Sequence, residues 1–497
     1  MSKNKGKTAE ELLQEALVPV EEQPYRIPEN WVWVRLKYIS TASRSGIEPS
    51  KYQDEVFELY SVPSFVNNAP EILLGKEINS NKQVVEENDV LICKINPRIN
   101  RVWIVNKKNK YMQIASTEWI VVSNYRMYSR YLMYLFRSPY FRSVLTSNVS
   151  GVGGSLTRAR PNDVNKYPIA IPPLNEQKRI ADKIERLLSK INLAKQLIEE
   201  AKETYELRRA AILDKAFRGE LTAKWRKENP NLIDGDELYE KIKEERFDAI
   251  ETNREAIEVK QIFEAFTLEE SVDSNNWIYL KANMFCFNIS CGGTPSEHIS
   301  ESGEIPFLKV YNIVDNKVAF DYKSQFISKE ISNSKLKKSV LNPKDVIMNI
   351  VGPPLKKIAI IPDDFSEWNM NQAIVRFRPI RSVLPEYVYY CLQFEDTLKE
   401  VINQTKGVVG QSNISISQSR NLIMPIPSTE EQKEIVAILD CLIEKENQML
   451  DRLRGLQKNL DLTEQSILSK AFKGELGTNS DSDGSAHDMF LQSLGGV

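Results

Sequence analysis

The sequence has little of what an enzyme active site usually needs. Its 497 residues include two histidines, His298 and His487, so catalysis that depends on a histidine base has little support. A Gly-x-x-x-x-Gly-Lys-Ser/Thr phosphate loop is missing. The Asn/Asp-Pro-Pro-aromatic motif of amino-methyltransferases is missing too, although Asn96-Pro97-Arg98 and Gly352-Pro353-Pro354 are partly similar to it. These absences favour a binding protein, and we predict no catalytic residue in this chain.

Cysteine is scarce, and no Cys-x-x-Cys spacing occurs among the five cysteines, which are Cys93, Cys286, Cys291, Cys391 and Cys441. This odd set is typical of buried, reduced thiols in the cytoplasm. His298 follows Cys286 and Cys291 without a fourth ligand, so we expect no zinc site. Long apolar runs and an apolar secretory signal are absent as well. The sequence therefore predicts a cytoplasmic protein without a membrane span.

The charge of the chain is unevenly distributed. The formal net charge is −2, which by itself argues weakly against a nucleic-acid partner. Between Leu91 and Lys166, however, thirteen basic residues compare with two acidic ones, and such a surface suits phosphates. Over residues 271–425 there are 17 basic and 15 acidic residues. Arginine also suits guanine edges, and asparagine or glutamine suits adenine. The candidate DNA-binding residues are Lys94, Arg98, Arg101, Arg126, Arg158, Arg160, Lys309, Asn312, Lys356 and Lys357.

Ten residues occur twice in almost the same form. ILDKAFRGEL at 212–221 and ILSKAFKGEL at 467–476 agree at eight positions. The same shift of 255 residues aligns IPPLNEQKRI at 171–180 with IPSTEEQKEI at 426–435. Because the shift stays constant through the whole block, each copy is expected to be a rigid element of fixed length.

Apolar residues inside both copies follow a heptad spacing, which predicts a coiled coil rather than a strand. In the first copy they are Ile180, Ile184, Leu187, Ile191, Ala194, Ile198, Ala201 and Tyr205. In the second they are Ile435, Leu439, Leu442, Met449, Leu453, Leu456 and Leu460, with Glu446 as the exception. Prolines precede each helix, Ser428 and Glu431 have the spacing of a capping box, and Gly219 and Gly474 are placed as C-terminal caps. Each helix is expected to have about 40 residues, or roughly 60 Å, and the two are expected to pack antiparallel as a spacer.

A longer and more diverged repeat precedes each helix. Trp33 to Lys37 is aligned with Trp277 to Lys281, and Asn88 to Ile92 with Pro343 to Ile347. Further matches pair Tyr131 and Tyr134 with Tyr387 and Tyr390, and Gly151 to Gly154 with Gly407 to Gly410. The basic residues in the loops of the two copies do not align. Both copies are rich in Val, Ile, Tyr and Phe, broken by Asn, Gly and Pro, which predicts mixed α/β domains.

The sequence thus predicts a mixed α/β (α+β) protein in which two long antiparallel coiled-coil helices join two globular domains, with an internal pseudo-twofold repeat. The predicted segments are an N-terminal helix or arm (1–27), domain 1 (28–170), long helical region 1 (171–221), a charged linker helix (222–271), domain 2 (272–425), long helical region 2 (426–476) and a disordered tail (477–497).

These motifs resemble those of the specificity subunit of type I restriction-modification enzymes. The residues that carry the resemblance are Pro172 to Gln177 with Ile180, Lys215 to Leu221, and their second copies Pro427, Glu431-Gln432, Ile435 and Lys470 to Leu476. Ser116-Thr117-Glu118-Trp119 resembles the family's Ser-Thr-Glu-aromatic segment, and Gly293-Thr294-Pro295 its Gly-x-Thr-Pro loop. Gln411, Ser412 and Asn413 resemble a family loop near the DNA backbone, which adds Gln411 and Ser412 to the DNA-binding candidates.

The resemblance implies two target-recognition domains, each reading one half of a bipartite DNA sequence, and helices that set the gap between the halves. It also implies two copies of a DNA methyltransferase subunit docked on this chain, and nuclease-translocase subunits in the full complex. S-adenosylmethionine, ATP and Mg²⁺ would belong to those partners, and this chain would hold no cofactor. The residues expected to bind the partner are Glu176, Gln177, Phe217, Arg218, Glu431, Gln432, Phe472 and Lys473.

Two other classes of function remain to be weighed. A coiled-coil adaptor that does not bind DNA would explain the heptads, but not the basic segment or the repeated domains. A fused endonuclease or methyltransferase would need a catalytic domain, for which no residues are left.

Overall fold

The computed structural model describes residues 7–40, 45–107, 110–123, 127–147, 149–150, 157–295, 299–405 and 413–495. The chain divides into two compact units. Unit 1 comprises residues 1–199 and 454–497, and unit 2 comprises residues 200–453. Both divisions fall inside a long helix, so each unit contains the start of one long helix and the end of the other.

The helices include two that are far longer than the rest, α5 and α14. Within the described residues the helices are α1 (Ala9–Ala16), α2 (Ser129–Arg137), α3 (Pro139–Ser147), α4 (Pro161–Val164), α5 (Leu174–Phe217), α6 (Ala223–Glu228), α7 (Gly235–Asp248), α8 (Asn253–Glu264), α9 (Ala282–Phe285), α10 (Lys329–Asn333), α11 (Pro385–Gln393), α12 (Glu395–Thr405), α13 (Ile416–Arg420), α14 (Thr429–Ala471) and α15 (Ala486–Gly495). In this described part of the chain, no helix combines the length and the apolar character that crossing a membrane requires.

Unit 1 is built on sheets of short strands. Its strands are β1 (Val32–Arg35), β2 (Gly46–Ile47), β3 (Val56–Tyr60), β4 (Glu71–Leu74), β5 (Lys82–Val84), β6 (Val90–Cys93), β7 (Val102–Ile104), β8 (Met112–Ser116), β9 (Trp119–Val122), β10 (Val149–Ser150), β11 (Arg158–Ala159) and β12 (Pro168–Ile171). One sheet has the order β2-β5-β8-β3-β4 and another the order β7-β6-β9, and β10 pairs with β11. β1 pairs with β12 just before α5 begins, so both ends of the domain meet at the long helix.

Unit 2 repeats this plan. Its strands are β13 (Ile278–Lys281), β14 (Cys286–Cys291), β15 (Ile305–Leu308), β16 (Ile313–Val314), β17 (Lys317–Val318), β18 (Phe326–Ile327), β19 (Val340–Leu341), β20 (Val346–Asn349), β21 (Ile358–Ile360), β22 (Trp368–Met370), β23 (Ile374–Pro379) and β24 (Ile423–Ile426). The sheet orders are β18-β15-β22-β19 and β14-β23-β20-β21, and β16 pairs with β17. β13 pairs with β24 just before α14, and a parallel pair lies inside one sheet of each unit, β3 with β8 and β15 with β22. The predicted mixed α/β fold with an internal repeat is confirmed.

The structure corrects the alignment of the first strands by two residues. Val32 lies opposite Ile171, and Ile278 lies opposite Ile426. Ile171 and Ile426 occupy the same position in the repeat. Trp31, rather than Trp33, therefore corresponds to Trp277. A shift of two residues keeps every side chain on the same face of a strand, so the alternation of apolar residues did not distinguish the two registers.

The two long helices have 44 and 43 residues, as the heptads predicted. Within each unit the two helical segments run antiparallel. As the residue number rises along α5 and the turn after it, the number of its partner on α14 and the turn after that falls. The pairs are Glu176–Thr478 and Lys195–Glu464 in unit 1, and Arg209–Asn447 and Thr222–Glu431 in unit 2.

The heptad assignment is confirmed for α5 at its isoleucines but is partly wrong for α14. Met449 and Leu456 of the predicted seam are 39% and 52% exposed, whereas Ile443, outside that seam, is 4% exposed. Apolar residues of α14 occupy two neighbouring heptad frames that share Glu446, which is 8% exposed, and packing within unit 2 buries the frame that contains Ile443. Spacing alone did not choose between the frames.

Two segments are more ordered than the sequence predicted. The tail 477–497 was expected to be disordered, but up to residue 495 it contains α15, whose Phe490 is buried in the core of unit 1. The segment 222–271 forms three helices, α6, α7 and α8, rather than one. In each segment a few apolar residues at helical spacing are enough to pack the helices against a core. The polar composition around those residues kept the sequence analysis from predicting this packing.

The ends of the long helices follow their capping signals only in part. Gly219 and Gly474 have φ of +74° and +75°, which confirms both as C-terminal caps. Ser428 Oγ accepts from the Glu431 N–H over 3.2 Å, but the Glu431 carboxylate does not complete the capping box. It binds other side chains instead.

Candidate nucleic-acid interface

A hairpin loop of unit 1 carries several of the predicted DNA-binding residues. Residues 94–101 join β6 to β7 and include Arg98 and Arg101. Asn96 and Asn100 have φ of 46° and 53°, a left-handed conformation that asparagine tolerates better than most residues. These two asparagines allow a tight loop that carries its basic residues between the two strands.

The short strand β11 lies beside this loop. The Ala159 N–H donates to the Lys94 carbonyl over 2.8 Å, and Ile95 forms a β-bridge with Arg158. Arg158 and Arg160 are exposed, and Lys94 is half-buried. The fold thus brings together five predicted residues that are up to 66 positions apart in sequence: Lys94, Arg98, Arg101, Arg158 and Arg160.

Acceptor oxygens accompany these cations. Glu118 forms an ion pair with Arg158 over 2.7 Å, and the arginine keeps 57% of its side chain exposed. Four buried oxygens have no hydrogen-bond donor within the described residues: Asn96 Oδ1, Asn100 Oδ1, Thr157 Oγ1 and Glu118 Oε2. A buried acceptor without a partner costs free energy, and because these oxygens are covered, a bound water is the donor that suits them.

The corresponding loop of unit 2 has positive φ at the same two positions. Residues 350–357 join β20 to β21, and Gly352 and Lys356 have φ of +88° and +67°. These are the positions of Asn96 and Asn100. As in unit 1, the loop forms a β-bridge with a later segment, here between Val351 and Asn413.

The two loops therefore correspond position by position, and the expectation that their basic residues do not align fails at one pair only. Arg101 has the position of Lys357, and Asn100 that of Lys356. Over the six residues from Asn96 and from Gly352, only the proline is identical, so the similarity lies in the backbone. Sequence comparison did not find it.

The remaining unit 2 candidates have different surroundings. Asn312 is 1% exposed, accepts from the Lys309 N–H over 3.0 Å and donates to the Tyr322 carbonyl over 2.9 Å. These bonds give Asn312 a structural role, so its assignment to DNA binding is wrong. Lys309, Lys356 and Lys357 are half-buried. Arg126, Gln411, Ser412 and His298 lie outside the described residues.

A buried carboxylate stands at the start of α5. Glu176 is fully buried and accepts from Trp31 Nε1–H over 2.8 Å and from the Thr478 hydroxyl over 3.2 Å. Burial raises the pKa of Glu176. The adjacent Gln177 accepts from the Tyr128 N–H over 2.9 Å, which ties the helix to its own domain.

The start of α14 is built in the same way. Glu431 is 2% exposed and accepts from Trp277 Nε1–H over 3.0 Å and from the Thr222 hydroxyl over 2.7 Å. It also forms an ion pair with Arg226. Gln432 accepts from the Leu384 N–H over 2.8 Å, as Gln177 does in unit 1.

The repeated phrases at the helix ends place a phenylalanine in each core. The ring of Phe472 lies 5.4 Å from that of Tyr131 in unit 1, and the ring of Phe217 lies 5.6 Å from that of Tyr387 in unit 2. Both phenylalanines are at most 2% exposed. Each repeat therefore anchors the end of one long helix in the core of the unit that holds the start of the other.

This burial corrects six of the partner-binding assignments. Glu176, Gln177, Phe217, Glu431, Gln432 and Phe472 are at most 2% exposed, and their contacts are with their own unit. Their duplication reflects the two equal junctions rather than a surface for a partner. Arg218 and Lys473 are exposed and remain candidates.

Four residues of these junctions were not predicted from the sequence: Trp31, Thr222, Arg226 and Thr478. Trp31 was hidden because Trp33 follows two positions later. Thr222 and Thr478 come one and two residues after the aligned Leu221 and Leu476, so an ungapped alignment separates them. A search for the next hydroxyl after each repeat would have paired them.

Comparisons with known proteins agree with this architecture. The chain is 25% identical over 339 residues to the specificity subunit of the Escherichia coli type I restriction enzyme EcoBI, covering 68% of this chain and 64% of that protein. It is 23% identical over 354 residues to the EcoKI specificity subunit of Escherichia coli strain K12, covering 70% and 66%. The matches thus span slightly less than two thirds of the length of both relatives.

A solved structure shows the same fold. It is described as giving the basis of complex assembly and conformational transition of a type I R-M system, and one chain of it matches with a TM-score of 0.68 and 21% identity. The match covers 91% of this chain and all of that one. The model of the type I restriction modification DNA specificity domain matches residues 28–203 and 286–454, more than half of the sequence. The chain therefore belongs to the family of type I restriction-modification DNA specificity domains.

Proposed function

We propose that this chain is the DNA-recognition subunit of a type I restriction-modification complex in the cytoplasm, and that each unit reads one half of a bipartite target. The observation that carries the proposal is the pair of equivalent hairpin loops, 94–101 and 350–357. Both loops have positive φ at the same two positions and carry basic residues, of which Arg101 and Lys357 share a position. Basic side chains of this kind position a protein on phosphates, and their contacts with base edges add specificity.

The differences between the loops predict an asymmetric target. Arg98 and Ile99 of unit 1 have the positions of Pro354 and Leu355 in unit 2, so the groups offered to a base edge differ. Half-sites on one face of a duplex are about 34 Å, or one helical turn, apart. The paired long helices are the elements that would set this distance.

The chemistry is assigned to partners. We infer that two copies of a DNA methyltransferase subunit, which bind S-adenosylmethionine, dock on this chain, and that nuclease-translocase subunits using ATP and Mg²⁺ join the full complex. The long helices expose large apolar side chains that suit such docking: Leu193, Leu197, Leu207, Leu456 and Leu462 are 52–74% exposed. Arg218 and Lys473 lie at the helix ends.

Salt-dependent DNA binding tests the proposal. The double substitution Arg98→Ala and Arg101→Ala should weaken binding of the purified complex and lower the slope of log K against log salt by about 0.9 for each phosphate that is no longer neutralised. Arg254→Ala is the matched control, because Arg254 is exposed on α8 and far from the loop in sequence. Binding that is insensitive to salt and to the loop variants would instead support a coiled-coil adaptor.

The spacing role has its own test. Seven residues added to both α5 and α14 preserve the heptad and lengthen each helix by roughly 10 Å. The gap preferred between the half-sites should then increase, as read from the pattern of methylated adenines in DNA from cells that express the variant. An unchanged gap would exclude the helices as the spacer.

A further inference from the structure

Tyr25 of unit 1 fills a site beside the end of α14. Its ring lies 4.8 Å from that of Trp33 and 5.4 Å from that of Tyr140, both at steep angles. The Lys473 ammonium is 5.7 Å from the centre of the Tyr25 ring, within the range of a cation–π contact. Tyr25 belongs to the segment between α1 and β1, so the chain itself supplies this aromatic ring.

The same place in unit 2 keeps part of these walls, with Asp396 at the position of Tyr140, and the described residues place no ring like that of Tyr25 there. By the strand register, Tyr279 has the position of Trp33, and by the helix repeat Arg218 has the position of Lys473. Six residues before Trp277 the chain has Ser271, whereas six residues before Trp31 it has Tyr25. An open groove of about 520 Å³ lies here, within unit 2.

The lining of this groove combines apolar surface with a polar group that lacks a partner. Phe217 and Phe394 form one wall, with their rings stacked 5.2 Å apart. Ile423 and Tyr279, at the groove, are 52% and 39% exposed. Thr397 also lines the groove, is 9% exposed, and its hydroxyl has no hydrogen-bond partner within the described residues.

We propose that this groove binds the phenol side chain of a tyrosine on an extended segment of a partner polypeptide. The other copy of the fold shows the occupant, because the equivalent site holds Tyr25. Arg218 would lie at the ring as Lys473 does at Tyr25, and an aromatic face attracts a cation. The Thr397 oxygen is covered in the structure, so rotation of its side chain would bring the hydroxyl to the phenol, and the new hydrogen bond would remove the cost of leaving it unpaired.

The consequence is an asymmetry between two otherwise equal units. Unit 1 is closed by its own chain, and unit 2 offers a site for one external tyrosine. The proposal rests on the proposed function only for the existence of partner subunits, and the groove is tested without DNA.

A peptide that copies the chain's own segment from Pro19 to Pro28 is the probe. Labelled with a fluorophore and titrated with the full chain, it should bind with a stoichiometry of one and a Kd below about 1 mM. A Tyr25→Ala peptide should bind at least about ten-fold more weakly, since an aromatic contact of this kind is worth that much. In the full chain, Ile423→Glu should weaken binding by a similar factor. Ile257→Glu, at a position that is 60% exposed on α8, should have no effect.

Thr397→Val gives a second test that keeps the shape of the groove. It should weaken binding of the tyrosine peptide several-fold and leave binding of a Tyr25→Phe peptide unchanged, because only the phenol hydroxyl can form a hydrogen bond with the threonine. Equal binding of the tyrosine and alanine peptides, or binding that Ile423→Glu does not change, would overturn the proposal. DNA binding of the unsubstituted complex is measured separately: its absence, with peptide binding intact, would count against the DNA-recognition role and not against the groove.

Discussion

The carboxylates at the starts of the two long helices have the same indole partner but different further donors. In unit 1 the neutral side chains of Trp31 and Thr478 donate to Glu176. In unit 2 Glu431 has the matching tryptophan and threonine and, in addition, the guanidinium of Arg226, whose side chain is 19% exposed. One junction thus buries an acid among neutral donors, and the other buries an ion pair. The hydrogen-bond geometry is kept between the two junctions, while the charge balance is free to differ.

The same division between backbone and side chains appears at the loops. Residues 94–101 and 350–357 share left-handed conformations at equivalent positions, yet share a single identical residue over the six from Asn96 and Gly352. A fixed backbone with variable side chains is what a recognition surface requires when each copy reads a different sequence. The junctions fix the long helices to the domains in the same way in both units, and the side chains of the loops differ between the units.

The largest effect is expected from breaking the anchor at a helix end. Phe217→Ala removes a ring that contacts both Tyr387 and Phe394, and should destabilise unit 2 by roughly 3–5 kcal/mol. Phe472→Ala should destabilise unit 1 by slightly less, because its aromatic contact is with Tyr131. Urea denaturation followed by tryptophan fluorescence measures both. Leu207→Ala, 74% exposed on α5, is the control, and an equally large loss of stability there would contradict the anchoring role.

The two junctions should respond differently to removal of the carboxylate charge. Glu431→Gln leaves the Arg226 guanidinium without its counter-charge and should cost about 3 kcal/mol. Glu176→Gln keeps one oxygen to accept from Trp31, and its amide can donate to the Thr478 hydroxyl in place of the second oxygen. It also removes a buried acid whose pKa is raised by burial, so we expect a change within about 1 kcal/mol. A combined Glu431→Gln and Arg226→Met variant should recover much of the stability, and a double-mutant cycle measures the coupling. Equal losses of stability at both junctions would show that charge balance does not distinguish them.

Exchanging the two loops should change which DNA half-sites the protein prefers, without unfolding either unit. Residues 96–101 and 352–357 have left-handed backbone at the same two positions, so each sequence fits the other site with modest strain. The chimera should prefer altered half-sites, at about 1–3 kcal/mol for each base pair affected, when binding to a library of targets is sequenced. A chimera that is stable but keeps the original target would assign base reading to other residues of the units.

Sequence reasoning succeeded where the repeat is rigid. The constant shift of 255 residues and the heptads predicted two long helices, and the glycine signals located their C-terminal caps at Gly219 and Gly474. It failed where two different structures are consistent with the same spacing of apolar residues. The strand register at Trp31 and the heptad frame of α14 each had an alternative with the same periodicity, and tertiary packing decided between them.

The candidate site was predictable in composition but not in geometry. Arg98 and Arg158 were found from local charge, yet the β-bridge that joins their segments depends on the fold of unit 1. The duplicated glutamates were recognised as important and given the wrong role, because burial depends on which helix end packs against them. The unpaired Thr397 hydroxyl had no sequence signal at all.

The smallest effect concerns Glu446, which stands at the position that Ile191 occupies in the α5 seam. Burial raises the pKa of Glu446, and its nearest cation, Arg208, is 3.9 Å away. The folded state therefore binds a proton more tightly than the unfolded state, so this residue's contribution to stability falls as pH rises above the ordinary glutamate range. Glu446→Gln should match the wild type at pH 4 and be about 1 kcal/mol more stable at pH 7. Glu444→Gln, on an exposed position of the same helix, should show no such divergence. A difference that is constant with pH, or that favours the wild type at pH 7, would show that Arg208 and Arg209 compensate the charge, so that the acid in the seam favours pairing of the two helices.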